Sequence, residues 1–416
     1  MINFHRAEGE LVCEKVPLTS LIKEFGTPAY VYSKASIINN LELFLGAFGS
    51  IDSLVCFSAK SNSNLSILNL MAQKGVGADI VSGGELFCAL KAGIDPKKIV
   101  FSGVGKTADE LRYALKTGIR MFNIESEPEL MQLAEIAESM GTIAPIALRV
   151  NPDIDAHTHT YTTTAKKENK FGLPLKNAIA VYKKASCLPF INPIGIDVHL
   201  GSPILSLEPY KKALDILSGL VAELRSLNIA IHTLDMGGGF GIVYKDEKPF
   251  TPIQFENLIV PYLTEMKCGL IVEPGRFIVG NSGVLLTKII YIKQTGEKVF
   301  YICDAGMSDL IRPPLYEAYH EIVPVSLPDA SAMITADVVG PICESSDFLA
   351  KNRSIERLEQ NAHLAIKSAG AYGFSMASQY NSRPRACEIL VDGASYHCIR
   401  NRETYDDLVR HQVENW

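Results

Sequence analysis

The sequence predicts an α/β fold: a (β/α)8 TIM-type barrel followed by a mostly β C-terminal domain. Eight short apolar, β-branched runs recur between residues 53 and 273, helix-like segments lie between them, and the alternation stops near residue 280. Strands that alternate with helices build a parallel sheet, and eight such strands are enough to close a barrel. An open doubly wound sheet would show the same alternation, so the spacing favours the barrel without excluding the sheet.

The barrel elements follow one another in a regular order. The candidate strands lie at 53–58, 77–81, 98–102, 120–124, 145–150, 194–200, 231–236 and 269–273. The candidate helices lie at 63–74, 83–92, 107–117, 127–139, 175–185, 207–226 and 254–266. Thr107 and Ser126 stand at the start of two helices, where a hydroxyl side chain typically caps the first turn.

Outside the barrel the pattern changes to strands. Runs at 283–293, 298–306, 332–340 and 387–393 predict a mostly β domain. The N-terminal residues contain a strand-like run, ELVCEK, and a helix-like run, PLTSLIKEFG. We therefore assign 1–25 to a segment that packs on the β domain, 26–279 to the barrel and 280–416 to the C-terminal β domain.

Composition narrows the class of protein. The 416 residues carry a net charge of −6, which argues against nucleic acid or an anionic membrane as the main partner. No apolar stretch reaches the roughly 18–20 residues that span a bilayer, and the N-terminus lacks the features of a secretory signal. The nine cysteines are scattered without paired spacing, as is typical of a reducing compartment. We expect a cytoplasmic protein.

Polar and glycine residues follow the candidate strands at the end where barrel enzymes carry their chemistry. In chain order they are Lys60, Ser82-Gly-Gly, Gly103, Glu125, Asn151, His199-Leu-Gly-Ser, Gly237-Gly-Gly and Glu273-Pro-Gly-Arg. Lys60 follows an apolar strand, where desolvation favours the neutral amine that attacks an aldehyde. Taken alone, a lysine at a strand end more often extends its ammonium group to water.

Two turns supply the other parts of a cofactor site. The glycines after the seventh strand let backbone N–H groups approach a phosphate, although a glycine run also makes a plain tight turn. Glu273 and Arg276 form either a binding pair or a local salt bridge. A pyridoxal-phosphate (PLP) enzyme has to hold a phosphate, set the charge on the pyridine nitrogen and carry a Schiff-base lysine. Lys60, the glycine turn and Glu273 together match that set.

Other polar residues are less specific. His199 is equally consistent with stacking on a ligand and with a core histidine. His157 and His159 have the spacing of a metal-binding pair, but they lie in a polar loop, and no metal is predicted. In the C-terminal domain, a cysteine beside an acidic residue at Cys343-Glu344 is not typical of a core cysteine.

Ten motifs, in order over nearly the whole chain, resemble the diaminopimelate decarboxylase family of alanine-racemase-like (fold type III) PLP enzymes. They are FSAKSN, GADIVSGGEL, IVFSGVGKT, RVNPDIDAHTH with KENKFG, DVHLGS, LDMGGGFG, VEPGR, DAGMSDLIRPPLY, VGPICESSD and AGAYG. The resemblance implies PLP-dependent decarboxylation of meso-2,6-diaminopimelate to L-lysine and CO2, the last step of lysine biosynthesis. It also implies a homodimer whose active sites are completed across the interface.

The resemblance further implies roles for individual residues. Lys60 forms the Schiff base and moves protons, Glu273 keeps the pyridine nitrogen protonated, and His199 stacks on the ring. Cys343 donates a proton to the carbanion, and Glu344 binds the distal ammonium of the substrate. The remaining cofactor-binding and substrate-binding residues are Ser202, Gly239, Pro274, Gly275, Arg276 and Tyr372 for the phosphate, and Arg276, Arg312, Tyr316 and Tyr372 for the substrate.

Several alternatives stay open at this point. An ornithine or arginine decarboxylase shares the fold, but it typically has Asp after the catalytic cysteine, where this chain has Glu344. A carboxynorspermidine-type decarboxylase is expected to be shorter. A non-catalytic relative would have lost Lys60 or Cys343, and both are present. A metal-dependent barrel hydrolase would contain zinc.

Overall fold

The computed structural model describes residues 3–155, 170–328 and 332–413. They form two compact units, which are described separately. The barrel unit comprises Leu41–Ile242 and Lys248–Gly275, and the β unit comprises Met1–Asn40, Val243–Glu247 and Arg276–Trp416. Over the described residues, no helix has both the length and the apolar character needed to cross a membrane.

The barrel unit contains a closed ring of parallel strands. In chain order these are Ser53–Ser58, Gly77–Ile80, Ile99–Phe101, Met121–Ile124, Ala144–Asn151, Ile191–Asp197, Thr233–Asp235 and Gly269–Val272. Each strand pairs with the next, and the eighth pairs with the first, which closes the ring. A two-residue strand, Leu173–Pro174, extends the fifth. The barrel prediction is confirmed and the open sheet is excluded.

Helices connect these strands. They span Leu65–Gln73, Gly83–Lys91, Ala108–Thr117, Glu127–Met140, Leu175–Cys187, Glu208–Ser226 and Pro252–Met266, with 3-10 turns at Ala59–Ser61 and Pro96–Lys98. Thr107 and Ser126 each accept a hydrogen bond from a backbone N–H three residues on, so both predicted caps form. A further helix, Lys34–Phe48, precedes the first barrel strand and was not predicted.

The barrel interior changes from apolar to polar along the strands. An apolar cluster consists of Cys56, Val100, Met121, Ala147 and Ile271. Because strand residues two apart face the same side, the next inward residues are Ser58, Ser102, Asn123, Arg149 and Glu273, which are all buried and polar. Polar groups therefore concentrate at the carboxyl ends of the strands, where barrel enzymes build their sites.

The β unit is built on a mixed sheet. Its strand order is Phe348–Glu356, Met333–Val339, Lys298–Cys303, Gly283–Thr295, Ala29–Ser33, Cys387–Asp392 and Ser395–Arg400. His363–Ile366 pairs with both Gly283–Thr295 and Ile322–Pro324. Its helices span Leu18–Phe25, Arg276–Val279, Arg312–Tyr316 and Tyr405–Val409, with 3-10 turns at Gly280–Ser282, Phe374–Met376 and Tyr380–Ser382. A small antiparallel sheet joins Phe4–Ala7, Glu10–Cys13 and Val16–Pro17.

The compact units divide the chain differently from boundaries at residues 26 and 280. Ala29–Ser33 pairs with Gly283–Thr295 and Cys387–Asp392, so it belongs to the β unit. Its partners lie more than 250 residues away in sequence, and such pairing leaves no local signal. The N-terminal Leu11 and Leu18 share an apolar cluster with strands of the same sheet.

Candidate active site

Lys60 lies in the short turn that follows the first barrel strand. Its Nζ donates a hydrogen bond to Oδ2 of Asp79 over 2.9 Å, and Ser58 Oγ donates to the same oxygen over 2.8 Å. The Asp79 side chain is fully buried, whereas that of Lys60 is 36% exposed. Burial opposes ionisation of Asp79, but Lys60 and His199 outweigh it and lower the pKa of Asp79. The sequence argument expected desolvation to act on Lys60, and the structure places a carboxylate beside it instead.

His199 follows the sixth strand and lies between two carboxylates. Its Nε2 is 2.9 Å from Oε2 of Glu273, and its Nδ1 is 3.4 Å from Oδ1 of Asp197. The ring also covers the glycine turn, since a Cβ on Gly237 would stand 2.7 Å from it. The histidine side chain is 14% exposed and both carboxylates are fully buried. Three barrel strands therefore fix the position of this imidazole.

Glu273, which follows the eighth strand, is surrounded by acidic groups. Burial raises its pKa well above the ordinary value, and the charges of Asp79 and Asp197 raise it further. Burial and the charge of Glu273 likewise raise the pKa of Asp235. Since like charges in a buried site resist joint ionisation, this layer of carboxyl groups favours the protonated form.

The glycine turn after the seventh strand has a conformation that requires glycine. Gly237 and Gly239 have φ values of +63° and +92°. A Cβ on Gly239 would stand 2.5 Å from the carbonyl oxygen of Gly201, the residue before Ser202. The turn and the loop of Ser202 therefore lie side by side, and Ile204 N donates to Gly239 O over 2.7 Å. Any side chain on Gly239 would close this approach.

These features test whether PLP fits the barrel rim. In the described part of the chain, no N–H group donates a hydrogen bond to the buried Oε1 of Glu273. A pyridine nitrogen that carries a proton is a suitable donor for such an atom. The glycine turn presents backbone close to Ser202, as phosphate binding requires, and Lys60 supplies an amine at the same rim. The residues fit the group.

A second cluster, in the β unit, gathers cations and aromatic rings. Arg276 and Arg312 are both buried. Arg276 Nη1 donates to Tyr244 Oη over 2.7 Å, and its guanidinium lies 5.0 Å from the ring centroid of Tyr372. Arg312 lies 5.2 Å from the Tyr244 ring and 5.9 Å from the Tyr316 ring. Such a pair of guanidinium groups suits a carboxylate or phosphate.

Two tyrosines of this cluster are unusual. Burial would raise the pKa of Tyr244, but Arg276 and Arg312 outweigh it and lower the pKa. Tyr372 has a φ of +56°, a left-handed conformation that a non-glycine residue rarely adopts. Such strain is found where the surrounding structure needs a side chain in one position.

Cys343 and Glu344 lie on an exposed loop of the β unit. Cys343 N donates to Asn381 Oδ1 over 2.8 Å, and Tyr380 Oη donates to Glu344 Oε1 over 2.7 Å. The buried Asp347 anchors this loop, because its two carboxylate oxygens accept from Met307 N over 2.7 Å and from Ile342 N over 2.6 Å. The thiol and the carboxylate are thus presented to solvent from a braced loop.

Comparison with known proteins places the chain in a family. Residues 34–280 match the model of the pyridoxal-dependent decarboxylase, pyridoxal binding domain. The chain is 48% identical to diaminopimelate decarboxylase of Pseudomonas aeruginosa, with 98% of each covered. The crystal structure of the Helicobacter pylori diaminopimelate decarboxylase complexed with L-lysine superposes with a TM-score of 0.91 at 42% identity, covering 94% of this chain and 98% of that one. The enzyme of M. jannaschii in co-complex with L-lysine gives 0.94 at 35% identity, covering 99% and 98%.

This chain belongs to the diaminopimelate decarboxylase family. It is a PLP-dependent carboxy-lyase that converts meso-2,6-diaminopimelate to L-lysine and CO2, the last step of lysine biosynthesis. The predicted family, activity and cofactor are confirmed. The ornithine, arginine and carboxynorspermidine alternatives are set aside by full-length identity to diaminopimelate decarboxylases.

Sequence reasoning missed several residues that contact the candidate site residues of either unit. Asp79 was overlooked in the GADIV run although it is an acidic residue in an otherwise apolar strand, which is a usable signal. Asp347 is the last residue of the CESSD motif, but its role was not recognised from the sequence. Tyr244 and His320 gave no signal, because only the fold brings them to Arg312.

The histidine pair with metal-binding spacing, His157 and His159, lies outside the described residues. Within the described part of the decarboxylase, no group of three or more His, Cys, Asp and Glu side chains is arranged to hold a metal ion.

Proposed function

We propose that the decarboxylase holds its cofactor at the barrel rim through Lys60, His199, Ser202, Gly239 and Glu273. PLP, when bound, withdraws the electrons that the departing CO2 leaves behind. Lys60 is the amine that attaches the cofactor, and it takes part in proton transfer. Its hydrogen bond to the buried Asp79 keeps the amine at the rim.

Glu273 is proposed to act at the pyridine nitrogen of the cofactor, and His199 on one face of its ring. Glu273 would accept a hydrogen bond from the protonated pyridine nitrogen and so keep that nitrogen protonated. His199, fixed between Glu273 and Asp197, covers one ring face. Phosphate binding is assigned to Ser202, Gly239, the Pro274-Gly275-Arg276 turn and Tyr372.

The cationic cluster is proposed to bind substrate carboxylates. Arg276 and Arg312, with Tyr316 and Tyr372, offer guanidinium and phenol donors to a substrate with two carboxylates. Glu344 pairs with the distal ammonium, and the Cys343 thiol donates a proton to the α-carbon after CO2 has left. This charge pattern matches a molecule with an amino-acid group at each end.

We further propose a homodimer in which Cys343 and Glu344 serve the partner's barrel. Both residues are exposed on a loop braced by Asp347, and exposure is what a residue needs to reach another subunit. We also place the enzyme in the cytoplasm, where the nine free thiols would stay reduced.

The observation that carries these roles is the joint placement of Lys60, His199 and Glu273 at one rim. A side-by-side assay of CO2 release from diaminopimelate, ornithine and arginine tests the assignment of the carboxylate and ammonium sites. Wild type should prefer diaminopimelate, and Glu344→Gln should mainly raise its KM. Equal activity on ornithine would refute the proposed carboxylate sites.

A further inference from the structure

His320 is a fully buried histidine next to the cationic cluster of the β unit. Its Nδ1 lies 2.8 Å from the carbonyl oxygen of Lys367. A carbonyl oxygen can only accept a hydrogen bond, so Nδ1 carries the proton and Nε2 is left as an acceptor. The backbone at Lys367 thus fixes one tautomer of this imidazole.

The Nε2 acceptor of His320 faces Arg312. Arg312 Nε donates to it over 3.3 Å, and the ring of Tyr244 meets the imidazole edge-on with centroids 5.5 Å apart. In the described part of the chain, neither Nη atom of Arg312 donates a hydrogen bond. The guanidinium is therefore held at its Nε, and its Nη groups remain available for a ligand.

The acceptor that holds Arg312 is a neutral imidazole rather than a carboxylate. A carboxylate in place of His320 would also hold Arg312, but it would neutralise the guanidinium and compete with an anionic ligand. Burial, followed by the charge of Arg312, lowers the pKa of His320 to about 3, and Arg276 and Arg353 act in the same direction. The imidazole therefore stays neutral and leaves the charge of Arg312 intact.

We propose that His320 is a positioning residue for substrate recognition, which orients Arg312 so that both Nη groups face a substrate carboxylate. The inference rests on the proposed function in one respect, namely that Arg312 binds substrate. His320 itself touches neither substrate nor cofactor in this proposal, and it acts only through Arg312.

Two conservative substitutions separate the contacts of His320. In His320→Asn the amide nitrogen takes the place of Nδ1 and keeps the bond to Lys367, but nothing reaches Arg312. In His320→Gln the longer side chain brings its oxygen toward the position of Nε2. We expect Asn to raise the KM for diaminopimelate about tenfold with kcat within about twofold, as loss of a hydrogen bond to a charged group implies, and Gln to restore most of it.

A double-mutant cycle with Arg312→Ala tests whether His320 affects KM through Arg312. If His320 acts through Arg312, the double variant His320→Asn/Arg312→Ala has the KM of Arg312→Ala alone. His363→Asn, at a half-buried histidine of the same unit, is the matched control and should leave KM unchanged.

Two outcomes overturn the inference while sparing the proposed function. One is a raised KM in Arg312→Ala with an unchanged KM in His320→Asn, and the other is independent, multiplying effects in the double variant. If Arg312→Ala itself leaves KM unchanged, the proposed substrate role of Arg312 is refuted instead. Circular dichroism and cofactor absorbance, measured on each holoenzyme, verify that the variants are folded and loaded.

Discussion

The ammonium group of Lys60 lies 2.9 Å from the buried carboxylate of Asp79, and the two form an ion pair at the barrel rim. Burial of Asp79 opposes its ionisation, but the charges of Lys60 and His199 lower its pKa and favour the carboxylate. At His320 the surroundings act in the opposite direction, since burial and three arginines keep the imidazole neutral. In both cases burial and the neighbouring charges together set the protonation state.

Lys60→Ala tests the attachment of the cofactor. Wild type should show visible absorbance from bound PLP that borohydride bleaches, whereas the variant should be colourless because it lacks the amine proposed to attach the cofactor. Lys74→Ala removes an exposed lysine that pairs with Glu42 and should stay coloured. Absorbance of Lys60→Ala that survives borohydride and dialysis would refute the assignment.

His320 also predicts a pH dependence of stability. In the unfolded chain a histidine binds a proton below about pH 6.5, but folded His320 does so only near pH 3. The unfolded state therefore binds more protons as the pH falls, and stability is lost from pH 6.5 downward by about 1.4 kcal/mol per pH unit. Between pH 7.5 and 5, thermal melting of wild type should shift more than that of His320→Gln. Equal shifts would contradict the buried neutral state.

At the scale of secondary-structure elements, a loop rather than a strand positions Cys343 and Glu344 in the β unit. The carboxylate of Asp347 joins the loop of Met307 to the loop of Cys343 through two backbone N–H groups. A Cβ on Gly306 or on Gly340 would stand 2.6 Å from that carboxylate, so both glycines are needed to admit it. One buried side chain therefore sets the course of the loop that carries the proposed proton donor.

Asp347→Asn should disturb that loop. An amide offers one acceptor oxygen, and its NH2 group would oppose the second backbone N–H. We expect kcat to fall at least about tenfold with cofactor content unchanged, because a misplaced group near the reacting atoms weakens proton transfer. Asp392→Asn, at an exposed ion pair with Lys34, is the control. Steady-state CO2 release measures both variants, and an unchanged kcat for Asp347→Asn would remove the loop from the mechanism.

At the scale of the whole molecule, the proposed homodimer would form each active site from two subunits. The barrel unit supplies Lys60, while Cys343 and Glu344 are exposed on the β unit and are assigned to the partner. Symmetric pairing of two such chains would create two equivalent sites, each with residues from both subunits.

Hybrid dimers test this arrangement. Lys60→Ala and Cys343→Ala should each be nearly inactive, but co-expression should restore up to about a quarter of wild-type activity, since half of the dimers are hybrids with one intact site. Lys60→Ala co-expressed with the double variant Lys60→Ala/Cys343→Ala should recover nothing. Light scattering should give a dimer. No recovery in the first mixture would place both residues in one subunit.

The barrel was predictable because its signals are local. Period-two and helical patterns within 53–273 placed all eight strands, and helix caps at Thr107 and Ser126 were recognised from adjacent residues. The strand Ala29–Ser33 and the helix Lys34–Phe48 escaped, the first because its partners lie far along the chain. Tyr244 escaped because Arg312 lies far along the chain, and His320 escaped because its separation of eight residues from Arg312 matches no recognisable motif.

By itself, the sequence determined the barrel, the family, the cofactor and the candidate residues, because strand periodicity and ordered motifs are properties of neighbouring residues. Only the tertiary structure decided which ionisable side chains lie next to one another. It paired Lys60 with Asp79, gathered acidic side chains around Glu273, and set a neutral His320 against Arg312. Protonation depends on burial and on distances between charges, and those distances are established only when remote segments pack together.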